Sequence, residues 1–121
     1  MTMPAGRLAF PKSRRLTRPG DFEQVKKNGR VQHGRLLTLS SVDNQGSSFR
    51  AGFITSRRVG GAVVRNRIRR RLREIVRKHQ ALILDGVWVV TIARMQAARA
   101  DYHELEAEWL RLARRAFILA P

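Results

Sequence analysis

The sequence predicts an α/β domain in which a helix connects two strands of one sheet, and three stretches carry that prediction. Phe49 to Ser56 (FRAGFITS) reads as a strand, the residues from Gly61 to about Gln80 as a helix, and Val87 to Ala93 (VWVVTIA) as a second strand. The last run is almost continuously apolar and rich in β-branched residues, the pattern of a central strand covered on both faces. Two strands bracketing a helix form a β-α-β unit, which implies parallel pairing of those strands. At 121 residues the chain has room for one modest core, and its 43% apolar content is that of a folded domain.

The elements follow in order. Residues 1–15 hold Arg7, Lys12, Arg14 and Arg15 with Pro4 and Pro11, and read as a flexible basic arm before a single domain over 16–119. An auxiliary RNA contact and a tail without a role are both open readings of that arm. Leu16 to Gly29 (LTRPGDFEQVKKNG) predicts a short helix. Thr17 is its expected cap, Pro19 sits in its first turn, Asp21 complements its positive end, and Gly29 is placed to end it in the left-handed conformation. Phe22 and Val25 share one face, which reads as core. Arg35 to Val42 suits a strand, with Leu37, Leu39 and Ser41 on one side. The turn cluster DNQGSS (Asp43 to Ser48) then suggests a hairpin with Phe49–Ser56. Gly52, in mid-strand, marks a bulge or a close approach by another group. Gly60 and Gly61 allow the sharp change from strand to helix. Asp101 to Leu119 predicts the last helix, opened by Asp101 and Glu104 at capping-box spacing and buried through Leu105, Trp109, Leu112, Ala113 and Ala116. Glu104, Glu106 and Glu108 near its start, with Arg111, Arg114 and Arg115 near its end, suit the helix dipole.

Charge is the dominant compositional feature. The net charge is +16, which points to nucleic acid first and to an anionic membrane surface second. The run Ser56 to Arg73, SRRVGGAVVRNRIRRRLR, holds eight arginines and no acid. Val64, Ile68 and Leu72 within it, and Ile75 and Val76 just after it, recur as one helical stripe, so the helix docks one apolar face and covers the rest in guanidinium. A solvated surface helix would interleave glutamate with its cations; here Glu74 is the first acid, so a polyanion-binding face is the better reading. Arg71, at the edge of the stripe, is placed to lay its stem on the core.

Several chemistries are excluded or disfavoured. There is no cysteine, so disulfides and thiolate metal sites are ruled out. No apolar run approaches the roughly 18 residues of a membrane span, and the opening residues form no signal peptide, which makes a cytoplasmic protein the default. The acids are scattered with no DxD, HxH or HExxH spacing, and His33, His79 and His103 are isolated, so no protein-borne catalytic or metal site is expected. The Gly-rich turn VGGAVV lacks the Lys-Ser/Thr pair of a phosphate loop. A strand precedes the arginine helix where a DNA-reading helix would need a partner helix, and few aromatics are free to stack on bases. A folded RNA with closely packed phosphates fits best.

The segment Arg50 to Glu74, RAGFITSRRVGGAVVRNRIRRRLRE, resembles the signature of the bacterial ribonuclease P protein subunit, with the Arg65-Asn66-Arg67 triplet as its most specific part. Leu16 to Arg30 is similar to the family's first helix, and Val87 to Ala98 to its last strand and exit loop, so the likeness spans residues 14–118. It implies an α/β sandwich with a four-stranded mixed sheet and three helices, like the second domain of ribosomal protein S5, with a left-handed β-α-β crossover. It also implies a ribonucleoprotein endonuclease in which a catalytic RNA, using Mg²⁺, removes the 5′ leader of precursor tRNA. The protein then binds that RNA and the leader, as a monomer in a one-protein, one-RNA complex. Arg57, Arg58, Arg65, Asn66, Arg67, Arg69, Arg70 and Arg73 become the RNA-binding face, with Arg65 and Arg67 expected to serve phosphate contact and not packing. Phe22 becomes an aromatic of the leader-binding cleft. Three departures stand beside it. The family often has a second aromatic one turn after Phe22, where this chain has Lys26. It often has Phe and Tyr on the first strand, where this chain has Leu37 and Ser40. The usual Asn after the glycine is Gly61. A cleft of Phe22, Lys26, Leu37 and Ser40 would stack less on bases and rely more on charge. A general basic RNA-binding or ribosome-associated protein is the competing reading, and a nuclease acting through protein residues a distant third.

Overall fold

The run VWVVTIA forms the strand at the centre of the sheet. In the computed structural model, which describes residues 10–43 and 45–121, the strands are β1 (Arg30–His33), β2 (Leu37–Val42), β3 (Arg50–Ile54) and β4 (Trp88–Ala93), and the helices are α1 (Pro19–Asn28), α2 (Ala62–His79) and α3 (Tyr102–Arg115). The sheet order is β1-β2-β4-β3. β4 runs parallel to β3, with Gly52 opposite Val90, and antiparallel to β2, with Leu39 opposite Thr91. The β3-α2-β4 unit is therefore the one the sequence predicts.

The hairpin between β2 and β3 does not form, because β4 lies between them. A strand apolar on both sides needs two hydrogen-bonded neighbours and a covered position, and β4 takes both β2 and β3 as its own. The true hairpin partner of β2 is β1, with Val31 opposite Ser40. Its four residues, RVQH, are mostly exposed and carry no strand pattern.

The sheet has helices on both faces. Leu37, Leu39, Ala51, Val89 and Ala93 look toward α2 and α3 and join the main core with Ile68, Leu72, Ile75, Val76, Leu105, Trp109 and Leu112. Trp109 donates its Nε1–H to Thr91 Oγ1 at 3.0 Å, which ties α3 to β4. On the other face α1 covers Val90 with Val25 and Leu16, and Phe22, Val42, Ile54, Trp88 and Ile92 pack partly buried around them. The capping box of α3 is present, Glu104 N–H to Asp101 Oδ1 at 2.8 Å and Asp101 N–H to Glu104 Oε1 at 3.0 Å.

Three local expectations are corrected. The N-cap of α1 is Arg18, without a side-chain cap bond, and not Thr17; Pro19 is the first helical residue, where its missing N–H costs nothing. Gly29 ends α1 in extended backbone (φ −81°, ψ 160°), not left-handed. Glycine is needed there for space, since a Cβ would lie 2.3 Å from the Val25 carbonyl oxygen and 2.6 Å from Ser40 Oγ. The basic arm is also shorter than expected. Phe10 is buried and stacks on Phe49 at 6.2 Å, and Arg15 bridges to Ala51, so residues 10–15 belong to the packed domain. Residues 1–9, with Arg7, lie outside the described residues.

Glu108 proves to be more than a complement to a helix dipole. It is 5% exposed, and Oε2 accepts the N–H groups of Leu36 and Leu37 at 2.6 and 2.7 Å while Oε1 takes Arg111 at 3.1 Å. It closes the start of β2 onto α3. Glu108→Ala leaves both buried donors unpaired and is expected to cost about 2–4 kcal/mol, read as a lower urea midpoint at unchanged slope; a loss below about 0.5 kcal/mol would remove the latch from the account.

Glu106 clamps α3 to α2, accepting from Lys78 Nζ at 3.1 Å and sitting 2.8 Å from His79 Nε2. The His79 hydrogen bond, and then Lys78, hold its carboxyl below the ordinary carboxylate range against the opposing effect of burial. A carboxyl lowered on folding contributes stability above its unfolded pKa and loses it as pH falls through the folded value. Glu106→Gln should therefore flatten the decline in stability below about pH 4, measured by urea unfolding from pH 7 to 3; an unchanged acid limb would assign that decline elsewhere.

Candidate nucleic-acid interface

The arginine helix is built as its stripe requires. Ile68, Leu72, Ile75 and Val76 are each fully buried, and Val64 packs at the edge of the core. Gly60 (φ 156°) turns the chain after β3, and Gly61 is the N-cap of α2 in extended backbone. Arg57 and Arg58, exposed in the turn, and Asn66, Arg70 and Arg73, exposed on the helix, face solvent; Arg65, Arg67, Arg69 and Arg71 are half-buried. Among the described residues no carboxylate pairs with any of the eight arginines from Arg57 to Arg73. Burial of its stem, then repulsion from Arg15 and Arg69, holds the Arg73 guanidinium below its ordinary value. It remains a cation at neutral pH. Three guanidinium groups from two segments thus converge with no counter-charge.

Hydrogen bonds divide the run. Arg67 Nη2 donates to the Ala98 carbonyl at 3.2 Å and Arg71 Nη1 to the Ala100 carbonyl at 3.0 Å, so two arginines of α2 hold the loop that follows β4. Arg69 Nη1 donates to Thr55 Oγ1 at 2.7 Å, and its Nη2 bonds the Asn66 side-chain oxygen. Arg67 is therefore structural as well as cationic, which corrects the expectation of phosphate contact alone. Arg71 behaves as its position on the stripe predicts.

A cavity of about 380 Å³ lies beyond the C-terminal ends of β3 and β4. Arg35, Arg58 and Arg94 reach it from three separate loops. Arg94 Nη1 donates to the Gly34 carbonyl at 2.8 Å, joining two of them. Arg35 and Arg94 were not singled out in the sequence. Each follows no motif and enters the basic face only because strand ends meet there.

The four cleft residues are not brought together. Phe22 is half-buried on one flank of α1, and Lys26 is exposed one turn on, 3.8 Å from Glu23. Leu37 has no exposed surface and points to the α3 side of the sheet, so it cannot line a cleft beside α1. Ser40 is on the α1 side but 2% exposed, with Oγ donating to the Val25 carbonyl at 2.9 Å beneath the helix. On that sheet face Thr38, Ile54 and Ile92 are half-buried in one row at one end, and Val42, Trp88 and Arg50 in another at the opposite end; the first row is on the Phe22 side. Thr38, Ile54 and Ile92 form the open floor beside Phe22. Alternation along β2 decides the matter, since one residue of register moves a side chain to the other face.

Among the described residues no three His, Asp or Glu side chains group as metal ligands would, and no helix is long and apolar enough to cross a membrane. Fold and surface define a strongly basic α/β domain with an unneutralised arginine face. The Ribonuclease P family model matches residues 10–117, and the chain belongs to that family. It is 46% identical over 105 residues to the ribonuclease P protein component of Acidothermus cellulolyticus, covering 85% of this chain and 88% of that one. The component from Roseiflexus castenholzii is 42% identical over 106 residues, covering 87% of each chain. The structure of the Staphylococcus aureus RNase P protein superposes with a TM-score of 0.82 at 27% identity, over 88% of this chain and 98% of that one. The Thermotoga maritima RNase P protein gives 0.76 at 28% identity, over 84% and 96%.

Gly52 is the close approach the sequence anticipates. A Cβ there would stand 2.5 Å from Phe22 Cε1. Gly52→Ala should cost about 1–3 kcal/mol by thermal unfolding, and much less in a Phe22→Ala background. Equal cost in both backgrounds would show that another neighbour demands the glycine.

Proposed function

We propose that this chain, as the protein component of ribonuclease P, binds the catalytic RNA and the 5′ leader of precursor tRNA and so assists Mg²⁺-dependent removal of the leader. The observation that carries this is the run of eight arginines from Arg57 to Arg73, none of them paired with a carboxylate among the described residues. Unpaired guanidinium groups grip phosphates bidentately. In this reading Arg57, Arg58, Arg65, Asn66, Arg70 and Arg73 meet the RNA directly, while Arg67 and Arg69 present theirs from fixed positions. Phe22 and Lys26 meet the leader over the floor of Thr38, Ile54 and Ile92. The described residues offer no carboxylate cluster to hold Mg²⁺, so the ions are assigned to the RNA, and no protein side chain is given a chemical step. The protein acts as one copy per RNA, in the cytoplasm. With a single ring beside Lys26, leader binding depends more on salt than on base identity.

Reconstitution with a ribonuclease P RNA tests the proposal. The wild-type protein should allow precursor tRNA cleavage at limiting Mg²⁺, and neither subunit alone should do so there. Arg70→Ala, at an exposed head with no hydrogen bond, should weaken RNA affinity about tenfold at low salt and reduce the salt slope by about one, with an unchanged melting temperature. Cleavage by the protein alone, or an RNA affinity indifferent to Arg70, would overturn it.

A further inference from the structure

α1 divides the sheet face it covers into two grooves, and the leader reading uses only one. Phe22 and Lys26 project from one flank of the helix. Gln24 and Asn28, also one turn apart, project from the other, with the buried Val25 between the two pairs. The second groove is a cavity of about 430 Å³ bounded by α1, β1, the end of β2 and the turn after it. Its polar lining is Gln24, Asn28, Arg30, Ser41, Asp43 and Gln45.

This lining differs in kind from the arginine surface. Gln24 Nε2 donates to Gln45 Oε1 at 2.8 Å, Gln45 Nε2 to the Asp43 carbonyl at 2.9 Å, and Arg30 Nη2 to Asp43 Oδ2 at 2.8 Å. Among the described residues these bonds leave the Gln24 carbonyl, the Asn28 amide and the second Asp43 oxygen without partners. Ser41 borders the cavity at the end of β2, but its side chain lies on the α3 face of the sheet with Leu37 and Leu39, so its hydroxyl does not face the groove. The carboxamides of Gln24 and Asn28 and the Asp43 carboxylate are the groups turned toward a ligand.

We propose that this second groove binds the edge of one unpaired RNA nucleobase. A phosphate calls for donors only and would be repelled by Asp43. A base edge presents donors and acceptors side by side, which carboxamides match. Asp43 accepts from an exocyclic amine, and the volume is within the range of small-ligand sites. Beside the cavity, the row Val42, Trp88 and Arg50 crosses the same end of the sheet. The Arg50 guanidinium lies 5.6 Å from the Trp88 ring centre and pairs with no carboxylate among the described residues. It is placed for the phosphate of the same nucleotide. The inference rests on the RNA-binding function proposed above. The base is supplied either by a long leader that crosses α1, about 10–12 Å wide, or by the catalytic RNA.

The test uses the full chain carrying Gln24→Ala and Asn28→Ala together. Gln24 is half-buried and Asn28 exposed, neither belongs to the core, and alanine favours the helix; circular dichroism checks the fold. Affinity is measured for the catalytic RNA alone and, in the holoenzyme, for precursor tRNAs with leaders of increasing length and varied base at each position. The double variant should bind about 3- to 10-fold more weakly and lose discrimination between bases at one position. A loss that begins only beyond a threshold leader length assigns the base to the leader; a loss already present with the catalytic RNA alone assigns it there. Wild-type affinity and discrimination in both measurements overturn the proposal. Phe22→Ala, measured in parallel, separates the two readings: its failure to affect leader affinity counts against the leader groove, while an effect of Phe22→Ala with a silent double variant counts against the second groove alone.

Discussion

α2 must be held to the core by a single stripe while every other direction carries like charge. Four fully buried aliphatic side chains do this, Ile68, Leu72, Ile75 and Val76, each contributing about 1.5–3 kcal/mol. Two unit charges 4 Å apart in water repel by only about 1 kcal/mol, so the stripe wins as long as the guanidinium heads stay wet. Much of the remaining architecture serves that condition. The sheet supplies a flat apolar partner, α3 covers the flank, and the arginines are turned outward where solvent or a polyanion screens them.

The acids are used accordingly. Among the described residues none pairs with an arginine of the run from Arg57 to Arg73. Glu108 holds two backbone donors at the start of β2, Glu106 joins α3 to Lys78 and His79 at the far end of α2, and Asp101 with Glu104 opens α3. Carboxylates thus fix the scaffold, Glu104 also lying 4.0 Å from Arg35, and leave the run from Arg57 to Arg73 without a paired acid among the described residues. Glu74, one turn after Arg70, pairs with Arg77 instead; an acid one turn from Arg65 would add an intrahelical pair worth a few tenths of a kcal/mol, at the cost of the phosphate affinity that the bare face offers.

Much of this was legible because it depends on local pattern. The α2 stripe, the buried β4, the capping box at Asp101 and the close approach at Gly52 each follow from residue type and spacing within one element. What was hidden depends on pairing across the chain. RVQH shows no strand pattern because an edge strand need bury nothing, and DNQGSS looks like a hairpin turn although β4 enters between the strands it joins. The family resemblance puts Leu37 in the cleft, and one step of alternation puts it in the core instead. Glu108 looked like any acid early in a helix, since the Leu36 and Leu37 donors lie about seventy residues away. Arg35 and Arg94 gain meaning only where three loops meet.

The hydrogen bonds of Arg67, Arg69 and Arg71 might look like a withdrawal of those residues from RNA contact, but the chemistry of the group says otherwise. A guanidinium has five N–H donors in a rigid plane. The bond from Arg67 to Ala98 engages one of its terminal nitrogens, and Arg69 uses one N–H on each of its two, to Thr55 and to Asn66. The other N–H groups on those terminal nitrogens are left for a phosphate, and the plane that carries them is now fixed. A free arginine must lose much of its rotamer entropy to meet a phosphate, whereas one already tied to a backbone carbonyl has lost it on folding. The half-buried members of the run therefore offer geometry and the exposed members, Arg57, Arg58, Arg70 and Arg73, offer reach. That division suits a partner whose phosphates are themselves fixed in a folded RNA. A face of wholly mobile arginines would attract any polyanion; anchoring part of it to the 95–100 loop and to Thr55 makes the spacing of charge on the protein a property of its fold.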